Sequence, residues 1–284
     1  MNTKIFNTSE SIRKQSFEWR KSGLKVGFVP TMGFLHEGHL NLIESAKKKC
    51  DKIILSIFVN PAQFGEGEDF EDYPRDLERD VSLASEKGTD AVFFPSAEEM
   101  YPENYQTFVN LENLPNHLCG LTRKGHFKGV ATIVTKLFNI IDPDFAFFGE
   151  KDFQQLTIIK QMAKDLNFRT HIVGVPIVRE VDGLAMSSRN VYLSEDQRKN
   201  ALLIRKNLLL AEKMIFDGEK DPLVITDTII SGILEYEEAK IDYVKVCDLE
   251  TLEDLEKVET PVLVAAAVYI GKTRLIDNIV IRSS

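Results

Sequence analysis

Two histidines three residues apart, His36 and His39, stand in the stretch VPTMGFLHEGHLNLI (29–43), where strand-forming residues give way to a helix. A helix N-terminus presents free backbone amides and the positive end of the helix dipole, and both suit a phosphate. Imidazoles at i and i+3 share one side of the first turn, so they can donate hydrogen bonds to a phosphate that gains charge during reaction. Gly38 lets a flat ring such as adenine lie against the backbone. The pattern favours a nucleotide site, and the alternative is a turn with two solvated histidines.

A zinc site is a weaker interpretation of these histidines. Helical zinc pairs use i, i+4 spacing with a third ligand, and neither an HExxH pattern nor a supporting cysteine occurs here. The three cysteines (Cys50, Cys119, Cys247) are scattered, which predicts buried thiols in a reducing compartment. The chain also lacks GxGxxG, GxxxxGK[ST] and GxSxG. A nucleotide would therefore be held by a device other than a P-loop or a dinucleotide fingerprint.

Two further polar stretches follow apolar runs. In FVNPAQFGEGEDFEDYPRD (58–76), Gln63 offers a donor and an acceptor that match the hydroxyl and carboxylate of a small acid. In FFGEKDFQQL (147–156), Gly149 allows a close turn, Lys151 is a point charge for phosphate, and Asp152 can cap the next helix. Gln154 or Gln155 would then face the ligand. The alternative for the acidic run Glu66–Asp76 is a solvated loop, and the alternative for GEKD is an ordinary helix start.

The stretch GLAMSSRN (183–190) carries two hydroxyls and Arg189 on a loop with a glycine hinge. Such a loop could close over a triphosphate, and the alternative is a linker of small residues. His126, in GHFKGVAT (125–132), precedes a helix and is interpreted as a structural histidine.

The elements that must position these residues alternate along the chain. Apolar runs predict strands, and amphipathic stretches between and after them predict helices. The strands are predicted at 24–29, 53–59, 90–95, 145–149 and 171–178, and the helices at 39–50, 76–88, 129–141, 153–166, 195–217 and 222–239. Near-continuous apolar strands between helices indicate a doubly wound parallel sheet, which binds ligands beyond the carboxyl ends of its strands. After about residue 178 three late strands, IDYVKVCD, PVLVAAAVYI and TRLIDNIVI, predict a small sheet with helices on one face. We therefore expect an α/β protein: a Rossmann-like domain (1–178) and a smaller C-terminal α+β domain (179–284).

Composition limits the partners. The net charge of −9 disfavours nucleic acid and anionic membranes as partners, because phosphate contacts need a basic face. The first ten residues, MNTKIFNTSE, lack an apolar signal core, and no apolar run approaches roughly 18 residues. We expect a cytoplasmic protein.

Five ordered motifs resemble one family. HEGH is similar to the HxGH signature of nucleotidyltransferases and class I aminoacyl-tRNA synthetases, and AMSSRN takes the place of the loop that those synthetases close over ATP. The series PTMGFLHEGH, FVNPAQF, GHFKGV, FGEKDFQQL and VREVDGLAMSSRN resembles the pantothenate synthetases (pantoate–β-alanine ligases) of the HxGH nucleotidyltransferase-like superfamily. The likeness covers the N-terminal two-thirds motif by motif. Ala62, where a bulkier residue is common, and Lys124, where proline is usual, depart from the family pattern.

The resemblance implies an ATP-dependent ligase that condenses (R)-pantoate with β-alanine through pantoyl adenylate and releases AMP and pyrophosphate. It implies Mg²⁺ carried by the triphosphate, no metal-ligating residues, a homodimer and a C-terminal lid. The substrate-binding residues would be Gln63 and Gln155, and the catalytic residues His36, His39, Lys151, Ser188 and Arg189. The ATP site would comprise Met32, Gly33, Phe34, Leu35, His36, Glu37, Gly38, His39, Gly149, Glu150, Lys151, Asp152, Val178, Met186, Ser187, Ser188 and Arg189.

Three rival functions compete with this interpretation. A nucleotidyltransferase would move AMP onto a phosphorylated acceptor without an amine. A tRNA synthetase is disfavoured by the negative charge and by the absence of an anticodon-binding extension. A sensor or scaffold would bind ATP without consuming it.

Overall fold

The computed structural model describes residues 3–282, and the chain divides into two compact units. The first unit comprises the chain up to Glu112, then Arg123–Glu150 and Ile158–Pro176. The second unit comprises Asn113–Thr122, Lys151–Thr157 and the chain from Ile177 onward. The predicted domain boundary at 178/179 stays a prediction. The two units are not continuous stretches of chain, since Asn113–Thr122 and Lys151–Thr157 group with the C-terminal residues.

The first unit is built on a six-stranded parallel sheet in the order β1-β4-β3-β2-β5-β6. Its strands are β1 Lys4–Phe6, β2 Val26–Thr31, β3 Lys52–Ile57, β4 Ala91–Phe93, β5 Phe145–Gly149 and β6 His171–Val175. The strand order reverses at β2, which pairs with β3 on one side and with β5 on the other. In such sheets ligands bind beyond the carboxyl ends of the strands at this switch point. Thr31 is therefore followed by the turn best placed for a ligand.

Helices cover both faces of this sheet. They are α1 Ser9–Lys21, α2 Glu37–Lys47, α3 Leu77–Glu86, the short α4 Ala97–Met100, α6 His126–Ile141 and the later part of α7 Phe153–Asp165. Val29 and Leu55 pack in one core with Ile43 of α2. Phe28, which points the opposite way from Val29, meets Phe138 of α6 with ring centroids 6.4 Å apart. Burial on both faces explains why the strands are apolar runs without polar alternation.

The second unit contains an antiparallel sheet in the order β7-β8-β9. Its elements are α5 Cys119–Thr122, α8 Glu195–Asn200, α9 Leu202–Phe216, α10 Pro222–Ile233, β7 Ala239–Cys247, β8 Val262–Ile270 and β9 Thr273–Ile281. Alternate residues of β8, including Val264 and Val268, share a core with Leu208 of α9 and Ile229 of α10. The predicted fold class, a parallel α/β core with a smaller C-terminal α+β part, is confirmed.

Several predicted elements differ from the structure. Strand β1 and helix α1 went unpredicted, since β1 has three residues and α1 buries only Ile12 and Ser16. The single helix predicted over 195–217 is two helices that meet at Ala201. The helix predicted over 222–239 ends at Ile233, because Ala239 already begins β7.

Candidate active site

The turn between β2 and α2, together with the first turn of α2, holds the predicted nucleotide-binding residues Met32–His39. Gly33 (φ +88°) and Phe34 (φ +49°) are both in the left-handed region. A Cβ on Gly33 would stand 3.0 Å from both Asp80 Oδ2 and Ile57 Cγ2. The turn therefore needs glycine at this position for its backbone conformation and for its close approach to α3 and β3.

Asp80, on α3, clamps this turn. The residue is 1% exposed, and its two carboxylate oxygens accept hydrogen bonds from Phe34 N (2.6 Å) and Leu35 N (2.7 Å). Arg79 donates to Leu35 O (3.0 Å), and its guanidinium lies 5.0 Å from the centroid of the Phe34 ring. Burial raises the pKa of Asp80, although the two amides favour the charged form. The strained turn is thus held by fixed polar contacts.

His36 and His39 form a reciprocal cap on α2. His36 is the N-cap, and its Nδ1 accepts from Gly38 N (3.1 Å), while His39 Nδ1 accepts from His36 N (3.4 Å). A ring nitrogen that accepts a hydrogen bond carries no proton, so the neutral rings carry theirs on Nε2. The rings lie side by side with centroids 4.0 Å apart. The local fold therefore leaves Nε2 as the protonated nitrogen of both neutral rings, at a helix N-terminus of the kind that suits an anion.

Gln63 follows β3 in the turn Pro61–Gln63, and four contacts fix it. Its Oε1 accepts from Asn60 Nδ2 (3.1 Å), and its Nε2 donates to the sulfur of Met32 (3.1 Å). His126 Nδ1 donates to the main-chain oxygen of Gln63 (2.8 Å), and Gly129 lies against the turn. The first unit therefore brings Gln63 and the nucleotide turn into contact. The predicted structural role of His126 takes this form: it supports the backbone that carries Gln63.

Arg123 supports His126 in turn. Its Nη1 donates to His126 Nε2 (3.1 Å). That nitrogen is the acceptor of the ring, because His126 Nδ1 donates to Gln63 O. Arg123 also pairs with Glu68 (2.6 Å) from the acidic loop. Burial by itself raises the pKa of Glu68, but the hydrogen bonds and charge of Arg123 outweigh it and hold that pKa below its ordinary value. The loop predicted to be merely solvated is therefore anchored beside the Gln63 turn.

In the second unit, Lys151 and Asp152 open α7. Lys151 Nζ lies 3.7 Å from Asp152 Oδ2, and Asn278 Nδ2 donates to Lys151 O (2.9 Å). Gln154 is 4% exposed, accepts from Cys119 N and donates to the carbonyls of Leu114 and His117. Because Gln154 has this structural role, Gln155 stays as the predicted ligand of the pair.

The segment Met186–Arg189, which leads into a 3₁₀ helix over Ser188–Tyr192, belongs to the second unit as well. Met186 N donates to Val178 O (3.0 Å), and Ser187 Oγ accepts from Arg189 N (3.3 Å). Arg179 makes two hydrogen bonds to Asp277, at 2.7 and 2.9 Å, and so ties the loop to β9. The hydroxyls of Ser187 and Ser188 therefore lie on a segment that the Arg179–Asp277 contact holds to β9.

Among residues 3–282, no group of three or more His, Cys, Asp or Glu side chains could hold a metal ion. Within the same range, no helix is long and apolar enough to cross a membrane.

Known proteins identify the family. A family model described as pantoate-beta-alanine ligase matches residues 4–280. The chain belongs to the pantoate-beta-alanine ligase family. A curated pantothenate synthetase of Pelotomaculum thermopropionicum is 52% identical over 277 residues, covering 98% of each chain. That of Enterococcus faecalis is 54% identical over 274 residues, covering 96% of this chain and 97% of the relative.

Two solved structures are also similar. A pantothenate synthetase from Thermus thermophilus has 41% identity and a TM-score of 0.92, covering 99% of this chain and all of the other. A pantoate-beta-alanine ligase from Francisella tularensis, described as complexed with beta-gamma ATP and beta-alanine, has 34% identity and a TM-score of 0.81, covering 98% of both. The predicted family and enzyme class are confirmed. The nucleotidyltransferase, tRNA synthetase and sensor alternatives find no support in these relatives.

Sequence reasoning missed several supporting residues of this ligase. Asp80 lies 45 residues from Leu35, whose N–H donates a hydrogen bond to it, and Tyr101 lies 41 residues from its partner Asn60. Only Asn60 had a local signal, since it begins the NPAQ turn as its cap. Of the two departures from the family pattern, Ala62 is half-buried in that turn and Lys124 is exposed.

Proposed function

We propose that the chain makes pantothenate from (R)-pantoate, β-alanine and ATP in two steps, within an ATP-binding ligase of pantothenate biosynthesis. The observation that carries this proposal is the capped histidine pair at the start of α2, in which each Nδ1 accepts a backbone N–H. In the first step a pantoate carboxylate oxygen attacks the α-phosphorus of ATP, and the bond from that phosphorus to the leaving pyrophosphate breaks. Activation is required because a carboxylate is a poor electrophile.

In the second step the neutral amine of β-alanine attacks the acyl carbon of pantoyl adenylate. The carbonyl carbon–oxygen bond to AMP breaks, and the nitrogen loses a proton as the amide forms. The description of the Francisella relative supports ATP and β-alanine as ligands of this chain.

The residues act by binding and charge stabilisation. His36 and His39 donate to phosphate oxygens as negative charge builds up on the leaving group, and a preorganised donor of this kind costs no reorganisation during reaction. Lys151, Ser187, Ser188 and Arg189 serve the same triphosphate, and backbone groups of Met32–Leu35 and Gly149–Asp152 line the nucleotide. Gln63 and Gln155 bind the hydroxyl and carboxylate of pantoate.

Magnesium would be held by the triphosphate, with water completing its shell, since Mg²⁺ commonly binds through substrate phosphates and few carboxylates. Bound there, it would neutralise phosphate charge. A homodimer in the cytoplasm and a C-terminal lid belong to the same proposal.

The test is ATP–pyrophosphate exchange with Mg²⁺ and pantoate, with β-alanine omitted. Exchange that depends on pantoate supports the adenylate. If no exchange occurs while AMP still forms once β-alanine is added, the two-step order is wrong. If ATP is consumed under neither condition, the proposed activity is wrong.

A further inference from the structure

A tyrosine away from the predicted ligand-binding residues is bonded to the Gln63 turn. Tyr101 follows α4, and its hydroxyl donates to Asn60 Oδ1 at 2.8 Å. Burial raises the pKa of Tyr101 well above its ordinary value, so the hydroxyl keeps its proton and remains a donor. Asn60 is 2% exposed, so its amide has no access to water as a substitute partner.

The direction of these hydrogen bonds decides how Gln63 is oriented. Asn60 Oδ1 accepts from Tyr101 Oη and from Ala62 N (3.3 Å), while Nδ2 donates to Gly129 O (3.2 Å) and to Gln63 Oε1 (3.1 Å). Because the Asn60 amide group faces Gln63 with its donor side, Gln63 Oε1 is already engaged. The Gln63 Nε2 group has two N–H bonds. One makes the weak contact to the Met32 sulfur, and the other can donate to a ligand.

The tyrosine bond is the shortest of the four at the Asn60 side chain, and it adds to the orientation that Ala62 N–H, a donor only, and Gly129 O, an acceptor only, already favour. An asparagine amide turned by 180° has nearly the same shape, so only its partners distinguish the two orientations. A turned Asn60 would direct its oxygen at Gln63 Oε1, and Gln63 would have to turn as well. Gln63 would then offer an acceptor to a carboxylate, where a donor is needed.

We propose that Tyr101 is a positioning residue that acts through Asn60 to keep the Gln63 amide N–H directed at an oxygen of the acid substrate. The proposal rests on the proposed function, in which Gln63 binds pantoate.

Tyr101→Phe isolates the hydroxyl. The ring contacts to Phe58 (6.4 Å between centroids) and Tyr105 (5.1 Å), and the Lys136 ammonium 5.8 Å from its centroid, are all available to phenylalanine. Tyr105→Phe is the matched control, because it removes a hydroxyl from the same aromatic cluster while Asn60 keeps its bond from Tyr101.

The assay is pantoate-dependent ATP–pyrophosphate exchange. In Tyr101→Phe we expect the KM for pantoate to rise about three- to tenfold, as for the loss of one hydrogen bond. The KM for ATP should stay at the wild-type value, and Tyr105→Phe should match the wild type for both substrates. In a Gln63→Ala background, the effect of Tyr101→Phe on kcat/KM for pantoate should shrink to less than about twofold, since the group that it orients is gone.

An unchanged pantoate KM in Tyr101→Phe, equal rises for ATP and pantoate, or a full effect in the Gln63→Ala background would each overturn the proposal. Wild-type protein without pantoate-dependent exchange would instead show that the proposed function is wrong, and the positioning role would fall with it.

Discussion

Gly129 lets α6 approach the backbone of the turn that carries Gln63, so Gly129→Ala tests how that turn is positioned. A Cβ there would lie 2.1 Å from Ala62 O and 2.6 Å from Gln63 N. Since real Cβ contacts essentially never fall below 3.0 Å, helix and turn must separate by the difference, about 0.9 Å. Both obstacles are backbone atoms, so no change of rotamer relieves the overlap.

The energetic and catalytic costs follow from that displacement. Overpacking costs about 1–3 kcal/mol, and alanine returns about 1 kcal/mol of helix propensity, so we expect a net loss of about 0–2 kcal/mol. A shift of about 1 Å in a substrate-positioning group costs on the order of 10²-fold in rate. The separation also lengthens the bond from Asn60 to Gly129 O, now 3.2 Å. We therefore expect kcat/KM for pantoate to fall about 10²-fold, well beyond what the loss of stability explains.

Urea unfolding and initial rates at varied pantoate and ATP measure the two effects separately. Gly232→Ala is the control, because its Cβ would lie 2.1 Å from Asn207 Oδ1 inside the second unit. It should lower stability while keeping kcat/KM for pantoate near the wild-type value. The reasoning is refuted if Gly129→Ala keeps wild-type kcat/KM, or if both variants lose it equally.

Three further changes have definite expected results. His39→Ala should slow single-turnover adenylate formation by about 10²- to 10³-fold, as for the loss of one transition-state donor, and a near-normal rate would remove its catalytic role. Asp80→Asn should lower the free energy of unfolding by about 1–3 kcal/mol, because an amide offers only one acceptor to two buried N–H groups, and an unchanged urea midpoint would contradict this. Since the folded pKa of Glu68 is lowered, its pairing with Arg123 stabilises the protein fully above the ordinary pKa of 4.5 and is lost as pH falls through the lower folded value. Glu68→Gln should therefore lose less stability between pH 6 and 3 than the wild type in thermal melts, and parallel curves would refute the ion pair's contribution.

Periodicity predicted the parallel sheet because its strands are buried on both faces. The runs around Val29 and Leu55 are apolar without alternation, and that signal survives in a single sequence. Strand β1 is three residues long and two of its positions are exposed, so it lacks the apolar run that predicts a buried strand. The break at Ala201 within a continuous helical pattern depends on how α8 and α9 pack, which local propensity does not encode.

In the candidate site too, the sequence predicts the residues that local structure places and misses those that tertiary packing brings in. Motif spacing finds groups that lie within a few residues of a strand end, because that distance is set by the local turn. Asp80 and Tyr101 reach the site from 45 and 41 residues away, so their spacing depends on whole crossover connections and leaves no local pattern. Asp80 on α3 holds the nucleotide turn between β2 and α2, whereas Tyr101 and Gly129 of α6 hold the turn that carries Gln63. Because the two turns have separate supports, a substitution such as Tyr101→Phe can change recognition of the acid while the nucleotide turn keeps its own hydrogen bonds.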